Sequence, residues 1–215
     1  AHAISEVGSI KLDQPAPQIS RERANQISKW KRGDGLVCLM SSHADDDVLL
    51  ISWARRHPGL RLLIVPRHPV RGSEIKKLAD AQGLYASQVS GEIKEEAQIL
   101  IGDSFGDMGA YLSQSDVIVI GGSFSGKGGQ NPIEPALMSK PLVAGPSMHN
   151  FQAISAGLEA AGALLRTDAE HLSESIDEAY LKADAMGQAA SAWVVANRGS
   201  TALQVQAILA VITAC

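Results

Sequence analysis

Beyond a polar, proline-containing lead-in (residues 1–20), short runs that are apolar at nearly every position alternate with longer amphipathic stretches. Residues 36–40, 60–65, 99–101, 117–120 and 142–144 read as buried strands, with 84–89 a further strand and 164–166 an edge strand. Pro66 stops the second of these. Helices are expected over 45–56, from a cap at Ser73 to Gln82 with Gly83 as the stop, and over 107–113, 133–138 and 151–161. From Ala169 onward the pattern is helical, broken near Gly187 and Gly199.

Strands alternating with helices, with the strands apolar on both faces, predict a parallel sheet covered on both sides. The fold class is therefore α/β, a doubly wound, Rossmann-like sheet. Residues 21–215 form a single domain on this reading, which is large enough for a real core. In such sheets ligands sit beyond the carboxyl ends of the strands, near a reversal of strand order. Function is thus expected in the loops after Met40, Val65, Ile101, Ile120 and Ala144.

Composition narrows the field further. A net charge of −4 lacks the basic excess of a broad nucleic-acid binder, so no nucleic-acid partner is expected. Three residues each of Trp, Tyr and Phe leave little for an aromatic stacking platform. Apolar runs fall short of a membrane span. Two cysteines, Cys38 and Cys215, form no disulfide framework and fit a reducing compartment. The chain opens on Ala-His, as a processed chain or a piece of a longer one would.

The strand-end loops carry the chemistry. Arg67, in Pro66-Arg67-His68-Pro69, is placed to fork two hydrogen bonds onto a phosphate. Arg55, Arg56 and Arg61, in the same basic stretch, read as solvated. The loop from Gly102 to Met108 leads into a helix whose first amides favour an anion, with Asp107 an acid at its start. After Ile120, five glycines in nine positions let the backbone approach a ligand closely. Gly121 followed by Gly126-Lys127 imitates a phosphate-binding ATPase loop, but Gly128 stands where Ser or Thr should hold magnesium. Asn131-Pro132-Ile133-Glu134 then opens a short helix, with Pro132 as its first residue and Glu134 placed to accept from a ribose diol. Asp45, Asp46 and Asp47 read as acids complementing a helix dipole. His43 and His149 lie at strand ends within reach of a ligand, without metal-ligand spacing, and no Ser-His-acid or Cys-His set is evident.

Taken together, Pro66-Arg67-His68-Pro69, Gly102-Asp103 to Met108, Gly121-Gly122-Ser123 through Gln130-Asn131-Pro132-Ile133-Glu134-Pro135, and Gly145-Pro146 to Asn150-Phe151 resemble the 3-deoxy-D-manno-octulosonic acid (Kdo) transferases. Gly8 to Asp13 and Ser41-Ser42-His43 are similar to them as well. The resemblance implies the C-terminal, donor-binding half of a two-domain GT-B glycosyltransferase. It further implies an inverting enzyme that transfers Kdo from CMP-Kdo to a lipid A precursor during lipopolysaccharide biosynthesis, at the cytoplasmic side of the bacterial inner membrane. CMP contacts then fall on Pro66, Arg67, Gly106, Asp107, Met108, Asn131, Pro132, Ile133 and Glu134. No cofactor or metal is implied. The family's catalytic base is a Glu in the N-terminal acceptor domain, so none of the residues here is catalytic, and residues 1–20 serve as the interdomain linker. Asp107 stands where the family has Glu, Gln130 where it has His, and Ser125-Gly126-Lys127 replaces a bulkier segment ending in Arg.

Three other readings stand beside this one: a UDP-sugar transferase or epimerase half-domain, a non-catalytic nucleotide-binding module, and a P-loop ATPase, which Gly128 opposes. The terminal stretch 201–215 is apolar along much of its length. It is expected as a helix that crosses to the absent domain and is exposed or dimerises without it.

Overall fold

The computed structural model describes residues 7–213; Cys215 lies outside them. Every expected strand forms: β1 (Gly35–Ser42), β2 (Leu60–Pro66), β3 (Ala86–Gln88), β4 (Ile99–Ile101), β5 (Val117–Ile120), β6 (Leu142–Ala144) and β7 (Leu164–Arg166). They pair in parallel throughout, in the order β3-β4-β2-β1-β5-β6-β7. From β1 the chain runs to β2 and on to the edge strand β3, fills the place between them with β4, then returns to add β5 on β1's other side. That reversal puts the switch in strand order between β1 and β5.

Side-chain alternation along the strands divides the core in two. Leu36, Cys38, Met40, Ile118 and Ile120 face a layer built from α1 (Arg21–Lys31), α4 (Met108–Gln114), α5 (Ile133–Leu137), α6 (Gln152–Ala160) and most of α8 (Ala183–Ala196). Val37, Leu39, Val117 and Val119 face α2 (Ala44–Arg56), α3 (Gly72–Ala81) and α7 (Leu172–Leu181). Both faces of the central strands are dry, which explains their unbroken apolar sequence.

Three local expectations are corrected. Helix α1 forms where none was expected, because only Ala24, Ile27 and Trp30 of its residues are buried, a stripe too narrow to stand out in a polar stretch. Ser20 caps it by accepting from Arg23 N at 3.3 Å, and Trp30 Nε1 anchors it through the Ala97 carbonyl at 2.8 Å. Ser73 is not the cap of α3, which begins one residue earlier at Gly72. Gly187 does not break the final helices; the break falls at Lys182, and α8 runs through Gly187. Only a glycine fits there, since a β-carbon would run into the Ser139 carbonyl of the turn after α5. Gly199, at φ 103°, does separate α8 from α9 (Ser200–Thr213) as expected.

Candidate functional site

The loops leaving β1, β2, β4, β5 and β6 gather at the carboxyl edge of the sheet. Strand β1 ends in an irregularity between Met40 and Ser42, and Ser41 adopts a left-handed conformation at φ 55°. Gly121 passes so close to this kink that a β-carbon would lie 2.4 Å from the Ser41 carbonyl oxygen and 2.6 Å from that of Met40. The switch point is therefore a tight crossing of two backbones, open to glycine alone.

On the β2 side, Arg67 N is held by the Ser42 carbonyl at 3.0 Å. Its guanidinium is exposed and makes no hydrogen bond or ion pair among the described residues. Across from it, Ser104 Oγ bridges Tyr111 OH and the Asp107 carboxylate, both at 2.6 Å. Burial pushes the Tyr111 phenol up to about 12, so it stays a neutral hydrogen-bonding group. Ser41, Pro66, Arg67, Gly106, Met108 and Tyr111 surround one hollow, and Phe105 stands 87% exposed at its edge. A free guanidinium over a hollow at the switch point is equipped to bind a phosphate.

Of the residues expected at the site, Pro66, Arg67, Gly106 and Met108 thus come together. The Asp107 carboxylate does not face the hollow; it accepts from Arg23 Nε at 3.0 Å and from Ser104, which fastens the loop to α1. Asn131, Pro132, Ile133 and Glu134 do not line this hollow but belong to the loop leaving β5. Pro132 is the N-cap of α5 rather than its first residue, and the Ile133 side chain is fully buried in the core. Asn131 Oδ1 accepts from Ile133 N at 3.0 Å, while its amide reaches Gln14 Oε1 at 3.2 Å and Glu134 Oε1 at 3.3 Å. Burial raises Glu134 above the usual carboxylate range, against the pull of that Asn131 bond. A half-buried carboxylate with one oxygen lightly held is prepared for hydroxyl donors.

The acids of α2 prove more than dipole complements. Asp45 is exposed, but Asp46 is fully buried and accepts from Gly122 N at 2.8 Å, His43 N at 2.9 Å and Phe124 N at 3.3 Å. Asp47, also fully buried, pairs with Arg71 Nη2 at 2.6 Å. The two carboxylates hold the glycine-rich turn and the Arg67 loop respectively. Arg61 is not the solvated residue expected: its side chain is largely buried, pairs with Asp34 at 3.0 Å and lies over the Trp30 ring. His43 is half-buried and near Gln130, with a pKa lowered chiefly by burial. Among the described residues no group of His, Cys, Asp or Glu is arranged to hold a metal, and no helix is long and apolar enough to cross a membrane.

Sequence reasoning missed Ser41, Phe105 and Tyr111 at the hollow. Phe105, an aromatic inside the polar loop Gly102 to Asp107, was the one available signal. Ser41's backbone twist and Tyr111's inward turn leave no trace in residue type.

No family model matches the chain. It is 34% identical over 94% of its length to 3-deoxy-D-manno-octulosonic acid transferase of Bordetella pertussis, and 29% identical over 90% to that of Haemophilus influenzae. The chain is a homologue of the Kdo transferases. It spans about half the length of these relatives, 50% and 48% respectively. The C-terminal CMP-Kdo binding domain of WaaA from Acinetobacter baumannii superposes with a TM-score of 0.70 at 26% identity, over 81% of this chain and 94% of that one. Sucrose-phosphate synthase of Thermosynechococcus elongatus shares the fold at a TM-score of 0.63 and 15% identity, over 96% of this chain and 51% of that one. The architecture of this Kdo transferase homologue is that of a GT-B glycosyltransferase domain.

Proposed function

We propose that the chain binds CMP-Kdo as the donor half of an inverting Kdo transferase. The observation that carries the reading is the likeness to the C-terminal CMP-Kdo binding domain of WaaA, over 81% of this chain and 94% of that domain. The unpaired Arg67 guanidinium supports it from the chain's own geometry. Arg67 meets the phosphate, Gly106 and Met108 offer backbone contacts from the facing loop, and Glu134 accepts from the ribose hydroxyls. Asn131 and Pro132 set the start of α5 beneath Glu134, Ile133 anchors that turn in the core, and Pro66 stiffens the approach of Arg67. Asp107 contributes by fixing its loop to Arg23.

The charge that develops on CMP as the glycosidic bond breaks is then stabilised by Arg67 and the helix-start amides. A carboxylate from a facing acceptor domain deprotonates the attacking hydroxyl of a lipid A precursor. Attack from the face opposite CMP inverts the anomeric centre. The full-length enzyme works, on this reading, at the cytoplasmic face of the inner membrane.

Titration with CMP, UMP, GMP and ATP, with and without magnesium, tests the reading. CMP is expected to bind best, and Arg67→Ala and Glu134→Ala should each weaken it by about tenfold or more, roughly 1.4 kcal/mol. Equal or tighter UMP binding favours a UDP-sugar enzyme, and magnesium-dependent ATP binding favours a P-loop enzyme. A wild type that binds no nucleotide overturns the proposal.

The same reading covers α9 with the acceptor domain. Leu203, Val205, Ile208, Leu209, Val211 and Ile212 are 49–68% exposed. The helix is held mainly at its start, where the Asp13 carboxylate accepts from Gly199 N and Thr201 N, both at 2.6 Å. Proteinase K acting on the chain alone is expected to cut within 201–213 first. A monomer that resists cleavage there as long as in its sheet overturns this placement.

A further inference from the structure

The lead-in before α1 is more than a tether, because it is fastened to the domain along its length. It opens on a short 3₁₀ turn, Ile10–Asp13, with Leu12 buried in the core. Lys11 Nζ donates to the Asn150 carbonyl at 3.4 Å and lies 4.4 Å from the centre of the Phe151 ring. Arg198, just past α8, donates from Nε to the Leu12 carbonyl at 3.0 Å and from Nη2 to the Gln14 carbonyl. With the Asp13 carboxylate already on Gly199 N and Thr201 N, the backbone of residues 12–14 is bolted to the junction of α8 and α9.

The Gln14 side chain reaches the loop leaving β5 instead. Its Oε1 accepts from Asn131 Nδ2 at 3.2 Å, 117 residues away. An asparagine amide has one oxygen and two hydrogens to place. Here Oδ1 accepts from Ile133 N at 3.0 Å, one hydrogen goes to Glu134 Oε1 at 3.3 Å, and the other goes to Gln14. Gln14 is thus the hold on this amide from outside its own loop. Asn131 in turn is the hydrogen-bond partner of the Glu134 carboxylate among the described residues. Gln14 Nε2 is buried and has no partner among the described residues. Burying that donor is unfavourable, and the bond to Asn131 offsets it. A side chain that served only to pack the lead-in would do so better if it were apolar.

We propose that Gln14 is a positioning residue of the donor site, which fixes the Asn131 amide and through it the Glu134 carboxylate. The inference rests on the reading of Glu134 as the acceptor of ribose hydroxyls, and deepens it by carrying the site into the lead-in. Without Gln14, the Asn131 amide is left with an unpaired hydrogen and turns to satisfy it. Glu134 then loses its bond and the direction that the bond imposes. The Gln14 carbonyl stays with Arg198 whatever the side chain, so the side chain can be changed with the lead-in still in place.

Calorimetric titration with CMP across a double-mutant cycle of Gln14→Met and Glu134→Ala tests the proposal. Methionine keeps the length of glutamine and removes its amide. Gln14→Met should weaken CMP binding about fivefold when Glu134 is present, and less than about twofold when Glu134 is alanine. A glutamine that only steadied the lead-in would cost the same in both backgrounds. Equal losses in the two backgrounds, or an affinity that Gln14→Met leaves unchanged, overturn the positioning role and leave CMP recognition standing. A Glu134→Ala chain that binds as the wild type does overturns the placement of Glu134, and the role of Gln14 with it. A wild type that binds no CMP overturns the donor reading itself.

Discussion

Replacing Arg71 with leucine is expected to cost about 3–5 kcal/mol of stability at pH 8, and less at pH 5. The guanidinium lies 2.6 Å from the fully buried Asp47 carboxylate and also reaches the Ser42 carbonyl at 3.4 Å. Without it Asp47 remains buried as an unpaired charge, since its other oxygen has no partner. Burial pushes Asp47 from an ordinary 3.8 up to about 6 even though Ser42 and Arg71 pull the other way. A raised acid pKa means the folded chain holds a proton that the unfolded chain has already released. Stability from this group is therefore present at low pH and falls as pH climbs from about 4 to 6.

Removing Arg71 lifts the folded pKa further and extends that window upward. Urea midpoints for wild type and Arg71→Leu should then converge below pH 6 and separate above it. A deficit that stays constant from pH 5 to 8 would mean that Arg71 does not govern the titration of Asp47, and would overturn this account. The pair also secures Arg67, because Ser42 accepts from both Arg71 Nη1 and Arg67 N. The variant at pH 8 should therefore lose CMP binding along with stability.

The parts of this structure that were legible in the sequence share one property: their residue type has a single use. VIVI at 117–120 suits a strand buried on both faces, and five glycines after it suit a close backbone crossing. Arg67 was legible because an arginine at a strand's carboxyl end has nothing nearby in sequence to pair with. The residues that escaped have two uses. Asp46 and Asp47 suit an exposed first helical turn as well as they suit a buried latch, and only the tertiary partners Gly122 and Arg71 decide. Asp107 reads as a ligand-facing acid until Arg23, 84 residues earlier, takes its carboxylate. That same arginine belongs to α1, whose three buried positions were too few to announce a helix. Long-range pairing decided each of these, and periodicity carries no information about it.

Asp46→Ala should be comparably damaging, although it too touches no proposed ligand. The carboxylate is fully buried at the start of α2, where the helix dipole favours its charge. It accepts from Gly122 N and Phe124 N, 76 and 78 residues away, and from His43 N on its own helix cap. Alanine leaves those amides without a partner, and Gly122 is itself buried. Unpaired buried donors cost about 1–3 kcal/mol each, so a loss of about 3 kcal/mol or more is expected in urea denaturation. Binding should suffer separately. With Gly122 released, the glycine-rich turn that leads on to Glu134 loses its fixed link to the start of α2, and CMP affinity should fall with it. Asp46→Asn separates the charge from the accepted bonds. Its carbonyl oxygen, placed where Oδ2 lies, can keep the bonds from Gly122 N and His43 N while its amide group opposes Phe124 N, so stability and CMP binding should each return in part. Full recovery of both in Asp46→Asn would show that neither the negative charge nor the Phe124 bond is needed to hold the turn.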